Sequence, residues 1–404
     1  MDTIDANLKH PNEDIQRAAV DALASLMESY FPVTEKGPST RLQTRVVDKY
    51  TRLVLQSNHP AETRGYSLAL GALPKKLLAP SSKVLNTVLD CLCRRARPSS
   101  KVAKEGDAET RRNCTEALCR VIETVGFEQS RSSDDHADDN PILPYPFHPL
   151  NKDQTTKIID SFLLSLSDYN VDRRGDVGSW SRMAAMSGLQ TTTRLCLQQC
   201  PDRINDITAT TIVGGICKQL GEKLDAVRLH AGKCLEMVLS YAGLPLASHD
   251  LLCQAFRLDS SQSSSSSSSS ITSTNWADAK TTFPMLMMAA NADEMFPYII
   301  DGVVISVGAL TESVTKSAEE ALLAWIRQSS KNDDDTLGRA DKFNRGESTD
   351  LPPPECHSGT NSKLALSCHA LLRRPKPNFF SNLPLFVAFL HVTTTHRYSR
   401  DSVV

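Results

Sequence analysis

Aromatic residues are scarce in this sequence of 404 residues: Phe, Trp and Tyr together make up 6%, whereas apolar residues of all kinds make up 40%. A core built from Leu, Ala, Val, Ile and Cys suits closely packed helices better than β-strands, which are enriched in aromatic and β-branched residues. The composition therefore favours an all-α protein.

The sequence also lacks an excess of charge of either sign. It has 45 Lys and Arg residues against 47 Asp and Glu residues, a formal net charge of −2 at pH 7. Attraction of the whole chain to nucleic acid or to an anionic membrane is not expected, because both depend on a large positive charge. A local basic patch is compatible with this balance.

Long hydrophobic runs are absent. The two most apolar runs are Phe296–Leu310, which Asp301 interrupts, and Leu383–Val392. Both are shorter than the ~20 residues of a membrane-spanning helix. Residues 1–20 contain four acidic residues and no continuous apolar stretch, so no secretory signal is expected.

Cysteine is present in an odd number, 11, which argues against a complete set of disulfides and for a reducing compartment. Most of these residues lie inside amphipathic segments, where a thiol behaves as a small hydrophobic side chain. The residues concerned are Cys91, Cys93, Cys114, Cys119, Cys196, Cys217 and Cys234. We therefore expect a cytoplasmic protein.

A nine-residue pattern recurs along the chain. It has a polar residue at its second position, small residues at its fifth and eighth positions, and Leu at its ninth. Copies begin at Ile15, Thr110, Ser181, Val227 and Val314, and a partial copy begins at Thr63. Small residues three apart on a helix let a neighbouring helix approach closely, and the following Leu fills the interface.

The spacing of the copies identifies the repeat. The second positions are residues 16, 64, 111, 182, 228 and 315, which are separated by 48, 47, 71, 46 and 87 residues. Three of these spacings agree with HEAT or armadillo repeats of ~40–47 residues. The two long spacings contain an acidic, Pro-rich stretch and the serine run Ser263–Ser270, which indicate insertions. The longest is also compatible with one repeat that lacks the pattern.

We therefore predict an all-α fold, a HEAT/armadillo-type α-solenoid of helical hairpins in a right-handed superhelix, with disordered insertions and a disordered tail. A non-repetitive α-bundle is the alternative. Asp107 is predicted to cap a helix over Ala108–Val125 that Gly126 ends, and Pro284 to lie near or inside a helix.

The predicted organisation has six segments. They are HEAT-like repeats over 1–126, an acidic and Pro-rich insertion over 127–151, repeats over 152–258, a Ser-rich linker over 259–274, repeats over 275–330, and a mostly disordered, divergent tail over 331–404.

Candidate partner-binding residues lie in the most unusual stretch, 172–182, which reads Asp-Arg-Arg-Gly-Asp-Val-Gly-Ser-Trp-Ser-Arg. One interpretation is a turn between helices, capped by Asp176 or Ser179 and anchored in the core by Trp180. The other is a partner-binding loop whose arginines pair with acidic groups. The predicted contact residues are Arg173, Arg174, Gly175, Asp176, Trp180 and Arg182.

Motifs for catalysis, nucleotides and metals are missing. The sequence has no GxxxxGK[ST], no GxSxG and no HExxH, and its Cys and His residues do not have the spacing of a zinc site. We expect no catalytic, cofactor-binding or metal-ligating residues. His230 is predicted to lie on a helix surface, and the methionines at 285, 287, 288 and 295 to fill a core.

One stretch resembles the most distinctive motif of the tubulin-folding cofactor D family, whose members are large HEAT-repeat chaperones of tubulin. It consists of Arg174–Trp180 followed by Arg182-x-Ala184-Ala185-Met186. Similar stretches follow the same order at 63–74, 107–126, 275–276 and 304–313. The resemblance covers residues 1 to about 330 and corresponds to part of the C-terminal half of the much longer family members, so the chain resembles a truncated form.

The resemblance implies a scaffold that binds β-tubulin, assembles with tubulin-folding cofactors E and C around the α/β-tubulin heterodimer, and promotes GTP hydrolysis by tubulin. It also implies an Arf-like small GTPase as a partner and a cytoplasmic, microtubule-associated location. The chain itself is then not an enzyme, and at most a GTPase activator of tubulin. The alternative is a HEAT-repeat adaptor for transport or vesicle coats that has no affinity for tubulin.

Overall fold

The computed structural model describes residues 1–30, 40–98, 107–128, 147–258 and 274–329. The tail over 331–404, most of the Ser-rich linker and most of the acidic insertion lie outside these ranges. In the described residues the helices are α1 (Asp2–Leu8), α2 (Glu13–Tyr30), α3 (Thr40–Gln56), α4 (Pro60–Gly71), α5 (Lys75–Leu78), α6 (Ser82–Ala96), α7 (Ala108–Val125), α8 (Lys152–Ser165), α9 (Gly178–Gln199), α10 (Asp206–Leu220), α11 (Asp225–Leu239), α12 (His249–Ala255), α13 (Ala279–Ala289), α14 (Phe296–Val307) and α15 (Glu312–Ser329).

The chain divides into two compact units. The first contains residues 1–219 and 229–253, and the second contains residues 220–228 and the described residues from 254 onward. In the second unit α13 and α14 both pack on α15.

The first unit is built from pairs of helices that are neighbours in sequence. α1 packs with α2, α3 with α4, α6 with α7, and α8 with α9. The second helices of successive pairs also pack on each other, α2 on α4, α4 on α7, and α7 on α9. All six copies of the nine-residue pattern lie on helices, at α2, α4, α7, α9, α11 and α15. The prediction of an all-α helical-repeat fold is confirmed.

Small residues set the distance between helices, as the pattern predicts. A Cβ atom added to Gly71 of α4 would lie 2.6 Å from the Cα atom of Ala117 on α7. One added to Gly188 of α9 would lie 2.5 Å from the ring of Phe162 on α8. Ala22 differs from the prediction, because it is exposed on α2.

In three copies the polar residue at the second position connects one helical pair to the next. Its partner lies in the second helix of the following pair or in the segment before that helix. The contacts are Gln16 Nε2 with the carbonyl oxygen of Ala61 (2.8 Å), Arg64 with Asp107 (2.8 Å) and Arg111 with Asp168 (2.7 Å).

The predicted helix limits of α7 are also observed. Asp107 Oδ1 accepts a hydrogen bond of 2.6 Å from the backbone N–H of Thr110. Gly126, which follows the last helical residue, has φ = 73°, a conformation that glycine adopts at little cost. Pro284 lies inside α13.

The cysteines behave as small apolar residues. Of the seven named above, six are buried and Cys119 is half-buried. Burial raises the pKa of Cys114 and Cys217 to about 12, so both thiols are uncharged at neutral pH. Met285, Met287 and Met295 are buried as core residues, whereas Met288 is 52% exposed.

Both ends of the predicted insertion at 127–151 are packed into the first unit. Phe127 and Leu150 are buried and form a parallel β-bridge. The N–H of Leu150 donates to the carbonyl of Gly126 (2.9 Å), and the N–H of Phe127 donates to Gln199 Oε1 (2.9 Å). Two apolar anchors and paired backbone groups therefore join the ends of this segment.

None of the described helices combines the length and the apolar character of a membrane span.

We predict that Gly71→Ala destabilises the protein, because the added methyl group would collide with the backbone of α7. The expected loss in free energy of unfolding is about 1–3 kcal/mol, the usual cost of overpacking. Urea denaturation monitored by circular dichroism measures it. Gly308→Ala is the matched control, since the closest atom to its added Cβ is 3.8 Å away. Equal stability of the two variants would contradict the role assigned to Gly71.

Candidate partner-binding site

The candidate residues lie on and beside a β-hairpin between α8 and α9. Its strands are β1 (Val171–Asp172) and β2 (Gly175–Asp176), which pair antiparallel with Val171 opposite Asp176. Arg173 and Arg174 form the two-residue turn, and Gly175 has φ = 107°, which residues with a side chain rarely adopt. The sequence predicted a turn here but no strands, because two-residue strands are too short to show an alternating pattern.

Asp176 connects the hairpin to the start of α9. Its Oδ1 atom accepts a hydrogen bond of 3.1 Å from the backbone N–H of Ser179, and its carbonyl oxygen accepts one of 2.6 Å from the Ser179 hydroxyl. The side chain of Asp176 therefore accepts from a backbone N–H in the first turn of α9, as predicted for a cap, although Val177 is the residue directly before the helix.

Arg182 of α9 is completely buried and binds the hairpin through Asp176. Its two Nη atoms each lie 3.1 Å from an oxygen of Asp176, and Nη1 also donates to the carbonyl of Asp168 (2.7 Å). Nε donates to Gln219 Oε1 (3.0 Å). Tyr169 stacks on the guanidinium, 4.4 Å from its ring centre. The chain itself thus encloses Arg182, which has no surface to offer a partner.

A second buried ion pair lies beside the first. Asp168 is fully buried, and its Oδ2 atom accepts a hydrogen bond of 2.7 Å from Nε of Arg111 on α7. Its Oδ1 atom accepts from the side-chain amide of Asn170 (2.6 Å). Asp168 therefore binds one arginine through its carboxylate and another, Arg182, through its carbonyl. Sequence reasoning missed this function of Arg111 and Asp168, although Arg111 and Arg182 occupy the same position of the repeat.

Arg174 lies on the surface, with 43% of its side chain exposed. Its Nη2 donates to Asp172 Oδ2 (2.7 Å), and its Nη1 donates to Glu109 of α7. The guanidinium also lies 5.0 Å from the ring centre of Trp180, and Arg112 lies 5.8 Å from the same ring. Both arginines are within cation–π distance of this half-buried tryptophan.

These contacts belong to a network of ion pairs on α2, α4 and α7. Its members each have an acidic partner: Arg112 with Glu13 (2.7 Å), Arg17 with Glu116 (2.9 Å), and Arg64 with Glu109 (3.3 Å). Arg173 differs, because it is exposed and forms no hydrogen bond or ion pair with any residue that the structure describes. The tip of the hairpin therefore exposes Arg173, with Arg174 next to it. Val171 of β1 is also 69% exposed.

The chemistry that this arrangement supports is recognition of carboxylates. A guanidinium group presents parallel N–H donors that match the two oxygens of a carboxylate. The hairpin presents Arg173 and, beside it, Arg174, whose guanidinium already binds Asp172 and Glu109. The buried ion pairs hold the backbone of the hairpin in place. Of the six predicted contact residues, Arg173, Arg174 and Gly175 are exposed, Asp176 and Trp180 are half-buried, and Arg182 is buried.

The prediction of a surface position for His230 is wrong in part, because α9 covers one side of the ring. Its Nε2 atom lies 3.0 Å from the hydroxyl oxygen of Ser187 on α9, and the residue is half-buried. Burial lowers the pKa of the imidazole.

Stacked helical pairs linked by the polar side chains of their second helices define an α-helical repeat protein. Residues 210–341 match the family model described as Tubulin folding cofactor D C terminal. The chain is also similar to Tubulin-specific chaperone D of Dictyostelium discoideum, with 28% identity over 258 residues. That alignment covers 58% of this chain and 16% of the relative. The resemblance to tubulin-folding cofactor D that the motifs indicate is therefore confirmed over part of the chain.

Arg182→Ala is expected to lower the free energy of unfolding by about 3–5 kcal/mol, because it leaves the carboxylate of Asp176 without its buried partner. Arg174→Ala is the comparison, and we expect a clearly smaller loss because its ion pair with Asp172 is exposed to solvent. Urea denaturation of both variants measures the difference. Similar losses would show that burial does not distinguish the two arginines.

The lowered pKa of His230 predicts a pH dependence of stability. The unfolded chain takes up a proton below pH 6.5 that the folded chain disfavours, so the stability contributed by neutral His230 is present above pH 6.5 and is lost as the pH falls. The melting temperature of wild type should therefore fall more than that of His230→Gln between about pH 7.5 and about pH 5.5. Parallel decreases in the two proteins would rule out this contribution.

Proposed function

We propose that this chain is a tubulin-folding cofactor that acts as a helical scaffold for tubulin. The match of residues 210–341 to the C-terminal model of tubulin folding cofactor D carries this proposal. The similar protein of Dictyostelium discoideum is named as a tubulin-specific chaperone, and the chain spans about 16% of its length. Stacked helical repeats suit this task, because they bind a folded partner over a broad surface.

We also propose specific partners. The scaffold binds β-tubulin and assembles with tubulin-folding cofactors E and C around the α/β-tubulin heterodimer, and an Arf-like small GTPase is a further partner. It promotes GTP hydrolysis by tubulin as an activator, so the hydrolytic chemistry takes place in tubulin. Its proposed location is the cytoplasm, in association with microtubules. The resemblance of the chain to tubulin-folding cofactor D supports each of these statements.

The β-hairpin is the proposed contact site. Arg173 and Arg174, with the turn glycine Gly175, contact acidic groups of the partner. The hairpin is fixed on α9 and α7 by Asp176, Trp180 and Arg182, which support the site from beneath its surface. The exposure of the two turn arginines supports this division of roles, as does the absence of a partner for Arg173 among the residues that the structure describes.

We predict that Arg173→Glu/Arg174→Glu weakens the binding of purified α/β-tubulin by about tenfold or more, because it replaces two attractive charges with two repulsive ones. A pull-down with increasing tubulin concentration measures this. Arg52→Glu/Lys83→Glu, on the exposed sides of α3 and α6, is the matched control with the same change in net charge. Circular dichroism checks that each variant is folded.

Two results would overturn this proposal in different ways. If both double variants bind tubulin as wild type does, the hairpin is not the contact site. If wild type does not bind tubulin at all, the tubulin function itself fails, and an adaptor without tubulin affinity becomes the better explanation.

A further inference from the structure

The accessible side of α9 continues the hairpin surface along the first unit. Its half-buried residues recur every three or four positions, which places them on one face of the helix. We call this face the α9 strip, defined by Trp180, Ala184, Ser187, Thr191 and Arg194. It begins where the hairpin ends and lies between α7 and the part of α11 that belongs to the same unit.

On the α7 side, Cys119 lies where the strip is next to charged side chains. Burial raises the pKa of its thiol to about 11, and a hydrogen bond with Thr191 acts in the opposite direction. The charges of Glu123, Arg120 and Arg194 also act on this thiol, so all three lie near it. Two cations and one carboxylate therefore lie near the middle of the strip.

On the α11 side, Ser187 of the strip contacts the ring of His230 at 3.0 Å. Burial lowers the pKa of this imidazole, and the charge of Lys233, one turn further along α11, lowers it as well. The histidine is therefore a neutral hydrogen-bonding group at neutral pH, and Lys233 supplies a third cation on this side.

The cations on and beside the strip differ from those of the hairpin network, because none of them has an acidic partner among the described residues. Neither Arg120 nor Lys233 forms an ion pair with a residue in the described part of the chain, and Arg194 only contacts the amide oxygen of Gln198, at 3.4 Å. Glu123 offsets one of the three charges, whereas Glu236 of α11 already has a partner. A net positive charge remains for an external anionic group.

We propose that the α9 strip, together with Arg120 and Lys233, binds an extended, carboxylate-rich segment of a partner protein. This inference rests on the proposed function, since the same partner would contact the hairpin. From Trp180 to Arg194 the helix rises by ~21 Å, which six or seven extended residues span. Acidic side chains of the segment pair with Arg120, Arg194 and Lys233, and the hydroxyl groups of Ser187 and Thr191 lie between these charges.

The polarity of the strip favours this occupant over an amphipathic helix. Its middle consists of small or hydroxyl-bearing residues, Ala184, Ser187 and Thr191, which provide little apolar area for a helix to cover. Nucleic acid is disfavoured by the nearly balanced charge of the chain, −2 at pH 7.

The test uses a fluorescein-labelled decaglutamate peptide, with fluorescence anisotropy as the measurement. Wild type should bind it, and Arg120→Glu/Arg194→Glu should weaken binding by about tenfold or more. Arg52→Glu/Lys83→Glu is again the control of equal charge, expected to change the affinity by less than about twofold. Decaglutamine and a short oligothymidine should not bind.

Any one of three results would overturn the inference. Wild type does not bind decaglutamate, the two double variants weaken binding equally, or oligothymidine binds more tightly than decaglutamate. A parallel titration with tubulin separates it from the proposed function. If Arg120→Glu/Arg194→Glu binds tubulin as wild type does, the strip is not the contact surface while the tubulin function stands. If wild type binds decaglutamate but not tubulin, the strip stands and the tubulin function fails.

Discussion

The buried contact between Asp168 and two arginines is the constraint on which the rest of the first unit depends. Arg111 reaches it from α7 through the carboxylate, and Arg182 reaches it from α9 through the carbonyl. Removing such charges from water is costly, and geometry that satisfies every donor offsets the cost. The arrangement fixes α7, α9 and the hairpin in one relative position, so the surface offered to a partner is formed before binding. Pre-formed surfaces lose less entropy on association.

Local patterns made much of the fold predictable. The limits of α7 follow from Asp107 and Gly126 because a cap and a helix-ending glycine act within a few residues. The repeat is visible because each second helix meets the same packing requirement, as the close approach of Gly71 to Ala117 shows. Signals of this kind require no knowledge of distant residues.

The candidate site was less predictable because its roles depend on tertiary contacts. In sequence, Arg173, Arg174 and Arg182 are equivalent cations next to glycines. Only the fold shows that one is buried against Asp176, one is paired on the surface, and one has no partner among the described residues. The position of Arg182 in the repeat could have revealed its burial, since Arg111 occupies the same position in the preceding copy. The half-buried state of His230 likewise depends on a neighbouring helix that no local pattern specifies.

The junction of Phe127 and Leu150 makes the fold tolerant of changes in the number of residues between them. Because backbone hydrogen bonds and two apolar anchors clamp both ends, the helices on either side are held together whatever number of residues connects them. Lengthening a connection whose ends are already joined costs little, about 0.6 kcal/mol for each doubling. This position is therefore suited to carry a fluorescent protein or an affinity epitope without separating α7 from α8.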